Sequence, residues 1–537
     1  MGKNVIFTLL TMLYFFVYVV TSLNSSTDEY ALLAFKSKIT SDPNKDLAKN
    51  WSQGTSFCNW IGITCGRRHQ RVRGLNLANM GLRGTIAKEI GGLSFLRSMI
   101  ISHNNFHGFI PDEMGKLSQL REIEMQYNEL NGAIPTSLGF LQNLQKLNIS
   151  YNNFNGNIPN RIFNLSSLVE ISFEHNSLSG SLPMDICYNL LKLELLRISW
   201  NQISGNIPPS LGRCTNLKRI SLSNNNFAGS IPMEIGNLSK LQILILGRNN
   251  LTGDLPSTIF NITSLLEVSV GENKISGKFP DHPCNRATML EFLELSDKKF
   301  HGEIPPSLFQ CHALRTLNIS FNEFSGRNIP NEIGNLSALE YLDLSNNDFT
   351  GNIPNEIRNI SALEYLDLSH NDFTGNIPNE IGNFSALVYL YLNDNGFTGN
   401  IPNEIGNFSA LEYLDLGSNG FSGNIPNEIG NLSSLVDLDL SSNNFSGSIP
   451  YEIGNSSGLE YLYLSSNILT ANGLPDLEDL YLGGNQLSGE IPGYISILSK
   501  LIVLDLSGNS FTGRVPMNLG NLREPMDSKL CLESIDE

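Results

Sequence analysis

Between Asn331 and Pro426 a block of 24 residues is written four times almost without change: NEIGNLSALEYLDLSNNDFTGNIP at Asn331–Pro354, then Asn355–Pro378, Asn379–Pro402 and Asn403–Pro426. A chain repeating at this period makes one supersecondary unit per copy, and each unit buries its apolar side only by stacking on its neighbour. Length then stops counting domains: 537 residues would ordinarily suggest several, whereas a repeat array is one quasi-linear body. In the first copy the recurring letters are Leu339, Leu342, Leu344, Asn347, Phe349, Gly351, Ile353 and Pro354, in the frame L-x-x-L-x-L-x-x-N-x-F-x-G-x-I-P.

Leu342 and Leu344 alternate with Asp343, the period-2 signature of a strand with one buried face. Asn347 is expected to end the strand and to use its amide on backbone groups that the sheet no longer pairs. Gly351 permits the following turn, and Pro354 holds back any long helix until Glu356. The frame is that of a leucine-rich repeat. The expected fold is α/β and β-rich: a right-handed solenoid, horseshoe or superhelix, with a parallel sheet on the concave face and an N-terminal cap.

The Asn position of the frame runs from Met80, which replaces Asn, through Asn104, Asn128 and their successors to Asn509, giving about 19 coils between residues 67 and 516. Steps of 25 precede Asn201, Lys298 and Asn347, to be absorbed in the outer turns. The step from Asn467 to Asn485 is only 18, because Ala471–Leu474 replaces the usual G-x-I-P segment; a break in curvature is expected there. Lys298 is a second weak point, since its ammonium must reach solvent. Residues 24–66 are not repeat-like and should cap the open end of the array, with a helix at Ala31–Lys38 closed by Asp42-Pro43. Residues 517–537 form an incomplete C-terminal tail.

Residues 1–23 read as a secretory signal peptide: one lysine, an apolar run from Val5 to Val20, then Thr21 and Ser22. No later run is apolar enough for a transmembrane span, and the acidic end Leu530–Glu537 does not fit a lipid-anchor signal, so the expectation is a secreted, extracellular chain, or a plasma-membrane one where this is a fragment of a longer receptor. Seven cysteines suit an oxidising compartment. Cys58 and Cys65 flank Trp60 and read as a short-loop disulfide. Cys187 and Cys214 are 27 apart, as are Cys284 and Cys311, at matching offsets in the frame; these are either bridges between adjacent coils or buried thiols filling a leucine-sized slot. Cys531 is left without a partner. Asn164, Asn237, Asn261, Asn335, Asn359, Asn383, Asn407, Asn431 and Asn455 each open an Asn-x-Ser/Thr triplet, as does Asn50 in the cap. The nine in the coils would place glycans along one outer flank, or they are simply copied with the repeat.

Residues 28–86, including ALLAFKSKITSDP, NWSQGTSFCNWIGITC and GRRHQRVRGLNLANMGLRGTI, resemble the N-terminal cap and first coil of plant leucine-rich-repeat receptor kinases. They are most similar to the subfamily of the flagellin and elongation-factor immune receptors. The resemblance covers nearly the whole mature chain and implies an extracellular array that recognises a peptide or protein ligand and pairs with a shorter leucine-rich-repeat co-receptor. The chain departs from the family in stopping at Glu537, before any membrane helix or kinase domain. It also lacks the inserted island of the steroid-binding relatives and the R-x-R pair with which some peptide-hormone receptors grip a carboxylate.

Catalytic strings of the protease, dinucleotide, P-loop and kinase types are missing, so no enzyme, cofactor or metal is expected. Gly454–Gly458 matches G-x-S-x-G, but it is in register with Gly334–Ala338 and reads as a drifted repeat. A net charge of −17 argues against nucleic acid. Arg67, Arg68, Arg71 and Arg73 read as a solvated basic turn beside the cap. The candidate ligand-binding residues face away from the leucines in the late coils: Tyr341, Tyr365, Tyr389, Tyr413 and Tyr461 in one column, and Asp343, Asp367, Asp415 and Asp439 in the next, which also holds Tyr391, Tyr463 and Tyr481. Tyrosine offers large contact area, little rotamer entropy and a polar tip. Recent duplication would produce the same columns without use. The early coils are mixed there, with Glu122, Glu124, Arg197, Arg219, Glu267 and Phe292. The leading function is ligand recognition by a receptor-like ectodomain; the alternative is a secreted inhibitor of a microbial cell-wall-degrading enzyme.

Overall fold

The computed structural model describes residues 26–52, 54–297, 299–326, 328–456, 458–471, 478–491 and 502–512. The signal peptide, Lys298, most of Ala471–Leu474, the C-terminal tail and Cys531 lie outside the described residues. The chain divides into two units, Met1–Leu265 and Leu266–Glu537.

Each unit is a leucine-rich-repeat solenoid built from the same coil. A three-residue strand carries one leucine inward between two side chains on the opposite face, as in Tyr341–Asp343, where Asp343, expected as a ligand contact, is nonetheless buried, and pairs in parallel register with its counterpart one coil on: Tyr341 opposite Tyr365, Leu342 opposite Leu366, Asp343 opposite Asp367. The first unit has eight such parallel strands, from Val72–Asn76 to Ile243–Ile245, and the second has eleven among the described residues, from Glu267–Ser269 to Val503–Asp505. Long coils keep this register, with Glu170 opposite Leu195 and Thr316 opposite Tyr341, so their extra residues are taken up elsewhere. The short coil keeps it too, with Tyr461 opposite Asp479. Leu339, Leu342, Leu344, Ile333 and Leu336 fill the core of their coil with almost no exposure.

The segment after the ladder asparagine, read from the sequence as a turn, is a second strand. Asp348–Gly351 pairs in parallel with Asp372–Gly375, and this pairing recurs along both units. Phe349 points inward between exposed Asp348 and half-buried Thr350, an alternation that was present in the sequence. In the second unit Phe300, Phe324, Phe349, Phe373, Phe397, Phe421 and Phe445 stack as an internal column at 5.8–6.4 Å. Gly351 ends its strand at φ 84°, where a side chain would be strained. A single 3₁₀ turn, Asn355–Asn359, then starts directly after Pro354, one residue earlier than expected and too short for the proline to obstruct.

The asparagine ladder joins coil to coil. The Asn347 Nδ2 donates to the carbonyls of Ile319, Leu344 and Ser345, and its Oδ1 accepts from the Phe324 N–H. At Met80 the ladder is absent, and Asn104 Oδ1 accepts from the N–H groups of Met80 and Leu82. The residue before each ladder position adopts a left-handed φ, between 50° and 58° where it is not glycine and at 67° and 62° in Gly484 and Gly508. Asn79, Asn224, Asn346, Asp297 and Asp394 suit that conformation, whereas five successive coils of the first unit place His103, Tyr127, Tyr151, His175 and Trp200 in it. A bulky residue there costs roughly 1–2 kcal/mol.

The cap is more extensive than its sequence suggested. Residues 26–37 are helical, and Ile39–Ser41 then forms a strand antiparallel to Arg83–Gly84. Asp42 does not end the first helix. Its carboxylate accepts from the Asp46 and Ala48 N–H groups and holds the start of the short helix Asp46–Asn50. Ile63–Cys65 pairs antiparallel with Val72–Asn76, closing the sheet edge. Arg71 departs from the solvated reading: it is buried against Asp28, which has no exposure, through a two-pronged ion pair with both bonds at 2.8 Å, and its guanidinium lies 4.7 Å from the centre of the Phe95 ring. Three disulfides are present among the described residues: Cys58–Cys65 in the cap, Cys187–Cys214 in the coils of the first unit and Cys284–Cys311 in the second. Cys187–Cys214 joins the 3₁₀ turn Ile186–Tyr188 to the residue that follows the 3₁₀ turn Pro209–Arg213, and Cys284–Cys311 joins a turn to the residue that follows the 3₁₀ turn Pro306–Gln310, with Cα atoms 5.4 and 5.2 Å apart.

Candidate functional site

In the second unit the outward side chains of the ladder strands are aromatic or acidic over many consecutive coils. Tyr341 and Tyr365 stack with ring centres 4.3 Å apart and planes 9° apart; Tyr389 and Tyr413 stack at 4.9 Å. Between the two pairs Tyr365 and Tyr389 tilt by 45°, and Tyr391 packs 5.9 Å from Tyr365. Tyr463 and Tyr481 form a further stacked pair at 4.8 Å. Tyr461, half-buried, follows in the same column as Tyr413, after Asp437. The sequence-predicted tyrosines are thus gathered on one face, each half-buried.

The aspartates have a second role that the sequence reading missed. Asp343, Asp367 and Asp439 accept from the N–H two residues on, at Ser345, Ser369 and Ser441, and Asp415 accepts likewise from Gly417. Each caps the end of its own strand, which accounts for one carboxylate oxygen without any ligand. Tyr365 also donates its hydroxyl to Asp367 at 3.3 Å.

Burial governs the charge of this face. Desolvation first, then the neighbouring carboxylates Asp439, Asp437 and Asp394, push Asp415 up to about 7 against the opposing Gly417 N–H. Desolvation and Asp439 push Asp437 up to about 6, and desolvation raises Asp367 against its bonds from Ser369. Burial, reinforced by nearby charges, pushes Tyr341, Tyr391 and Tyr463 up to about 12, so these phenols stay neutral donors. An acid whose folded pKa is raised holds a proton that the unfolded chain releases, so stability falls as pH rises from about 4 to 7. Asp415→Asn should therefore raise the stability of the chain by on the order of 2 kcal/mol at pH 8 and change it little at pH 5, measured by urea denaturation at both pH values.

The first unit presents a different face. Lys146 lies between Glu122 at 3.3 Å and Glu124 at 4.0 Å, and Arg197 pairs with Glu170, so its charges are largely satisfied among themselves. Its longest aromatic stack among the described residues is the left-handed column, where His103, Tyr127, Tyr151, His175 and Trp200 stack at 4.4, 4.2, 4.2 and 5.0 Å. The signal was legible as aromatic residues in a column otherwise rich in Asn, Asp and Ser.

All nine coil sequons from Asn164 to Asn455 have exposed asparagines that close a 3₁₀ turn, and Asn50 is exposed in the cap with its Oδ1 accepting from Ile61. Four further triplets stand outside that row among the described residues: Asn250 and Asn444, exposed on the second strands, and Asn148 and Asn318, half-buried on the ladder strands with Oδ1 accepting from Ser150 and Ser320. In the G-x-S-x-G string, Ser456 is buried and donates to the Leu432 carbonyl at 3.0 Å, occupying a leucine slot. Among the described residues no group of three or more His, Cys, Asp or Glu could hold a metal, and no helix is long and apolar enough to cross a membrane.

Comparison with known proteins agrees with the coil geometry. Residues 25–66 match the leucine rich repeat N-terminal domain, residues 298–425 a leucine-rich repeat region, and eight segments between 95 and 522 the single leucine rich repeat. Over 83 residues, 16% of the chain, it is 45% identical to the LRR receptor-like serine/threonine-protein kinase EFR of Arabidopsis thaliana, a stretch that spans only 8% of that kinase. The Arabidopsis receptor kinase HAESA, solved with the peptide hormone IDA and the co-receptor SERK1, shares 32% identity over 92% of each chain with a TM-score of 0.74. The plant peptide hormone receptor RGFR1, solved with RGF2, shares 32% identity over 87% of this chain and 89% of its own, with a TM-score of 0.71. The chain belongs to the leucine-rich-repeat proteins, in the group formed by the ectodomains of plant receptor kinases.

Proposed function

We propose that this chain is a receptor-like ectodomain that recognises an extracellular peptide, and that the Tyr341–Tyr481 face of the second unit receives it as an extended cationic or amphipathic segment. The observation that carries this reading is the continuous tyrosine and aspartate face, on which no lysine or arginine occupies a ladder strand from Tyr341–Asp343 to Val503–Asp505 among the described residues. Strands spaced by about 4.8 Å put Tyr341 and Tyr413 roughly 14 Å apart, a distance covered by four or five extended residues at about 3.3 Å each. The ligand's apolar parts contact the tyrosine edges, and its cations face Asp367, Asp415, Asp437 and Asp439. Peptide recognition in relatives such as HAESA, solved with a peptide hormone and a co-receptor, supports the class of ligand and a co-receptor as second partner. A secreted or membrane-tethered extracellular location and glycans on the flank of Asn164 to Asn455 belong to the same reading, and no catalytic role is assigned.

The test is selection from a synthetic hexapeptide library by the full chain at pH 7.5. The expected binders are enriched in Arg or Lys together with aromatic or aliphatic residues, and their association slows as salt rises. Enrichment of acidic peptides, or binders indifferent to salt, would overturn the assignment.

A further inference from the structure

The stacked column of the first unit lies in a different unit from the proposed peptide face and is unlike it in chemistry. Asn, Asp or Ser would sit at its left-handed positions with less strain, yet five consecutive coils carry rings there, and they remain open to water: Tyr127, Tyr151 and Trp200 are 44%, 37% and 46% exposed. Ring centres 4.2–5.0 Å apart leave no space between the rings, so the column offers a ribbon of edges along its length and a free ring face only at its ends. At one end the stack stops at Trp200 because the next coil has Asn224 in place of a ring. A shallow depression of about 340 Å³ opens beside His175 and Trp200. Its polar lining includes Ser177, Gln202 and Asn224, whose side chains make no hydrogen bond within the chain among the described residues, and no carboxylate, ammonium or guanidinium borders it.

An indole with an open face, two unengaged carboxamides and a hydroxyl, with no charge, match a neutral pyranose ring, whose C–H face packs on an aromatic and whose hydroxyls both donate and accept. A cationic peptide would find no counter-charge here, and an aliphatic one would leave the amides unsatisfied. We propose that the Trp200 end of the column is a binding site for an uncharged oligosaccharide, with one sugar stacked on Trp200 and hydrogen-bonded to Gln202, Asn224 and Ser177, and the following sugars lying along the edges of His175, Tyr151 and Tyr127.

Trp200 also supplies the readout, because Trp51 and Trp60, the other two tryptophans, are buried in the cap. The full chain is titrated with cellohexaose, xylohexaose and chitohexaose while tryptophan fluorescence and its quenching by acrylamide are followed, with calorimetry in parallel. The expected result is sub-millimolar binding of at least one of these sugars with protection of Trp200 from the quencher. Trp200→Asn, which installs the residue that Asn224 already places in this column, should weaken binding at least tenfold without lowering the melting temperature. Gln202→Ala with Asn224→Ala should weaken it several-fold and serves should the tryptophan variant misfold. The proposal is overturned if none of the three sugars binds the parent chain below millimolar concentration, if Trp200→Asn folds and binds as the parent does, or if the cationic peptides selected on the whole chain protect Trp200 instead.

Discussion

Arg71→Ala should destabilise the cap by about 3–5 kcal/mol, enough to expose the first coil of the array. The charge left behind is the cause. Asp28 is fully buried and holds three donors, Arg71 Nε and Nη2 at 2.8 Å and the Val72 N–H at 2.9 Å. Removing the guanidinium strands a carboxylate in an apolar setting and also frees Ser94 and the Phe95 face that Arg71 covers. Arg71→Lys should recover little, since one ammonium cannot reproduce the two-pronged geometry. In the double variant Asp28→Ala, Arg71→Ala the losses should be well short of additive, with a coupling of about 2 kcal/mol or more. Urea denaturation followed through the buried Trp51 and Trp60 checks this; additive losses would mean that the pair contributes only through packing.

Asn371→Ala should cost about 3 kcal/mol, more than a typical surface change by several-fold. Asn371 Nδ2 donates to the carbonyls of Leu344, Leu368 and Ser369 at 3.0, 3.2 and 3.0 Å, and Oδ1 accepts from the Phe349 N–H at 3.1 Å. Alanine leaves these groups in a buried turn with no water to replace the amide. Because Leu344 and Phe349 belong to the preceding coil, the loss is shared between two coils and weakens their interface. Asn371→Asp should be no better, as a carboxylate cannot donate to three carbonyls. Faster amide exchange confined to the coils around Asn347 and Asn371 would confirm the assignment, while unchanged exchange there would place the ladder's contribution elsewhere.

The repeat, its inward leucines and the asparagine ladder were legible because their causes lie within about one coil and recur in register. The shared offsets of Cys187 with Cys214 and of Cys284 with Cys311 left bridges and buried thiols both open, and the structure decides for bridges. The second strand was missed because Gly351 was taken as the start of a turn, although Asp348, Phe349 and Thr350 already alternated. Arg71 could not be assigned from its neighbours, since Asp28 is 43 residues away and meets it only when the cap folds back. The candidate face was legible as columns of Tyr and Asp. What the letters could not show is that the aspartates also cap their strands and that burial, with the neighbouring carboxylates, keeps Asp415 partly protonated near neutrality.

The measurement closest to the central claim is the affinity of a selected peptide for Tyr365→Thr, Tyr389→Thr, Tyr413→Thr, a substitution that the same column already accommodates at Thr316. With the melting temperature as a check on folding, loss of at least thirtyfold in affinity, about 2 kcal/mol, is the predicted result, larger than the loss from Asp439→Asn alone. A folded triple variant that binds the peptide as tightly as the parent chain would contradict the account and remove the second unit's tyrosine face as the site of recognition.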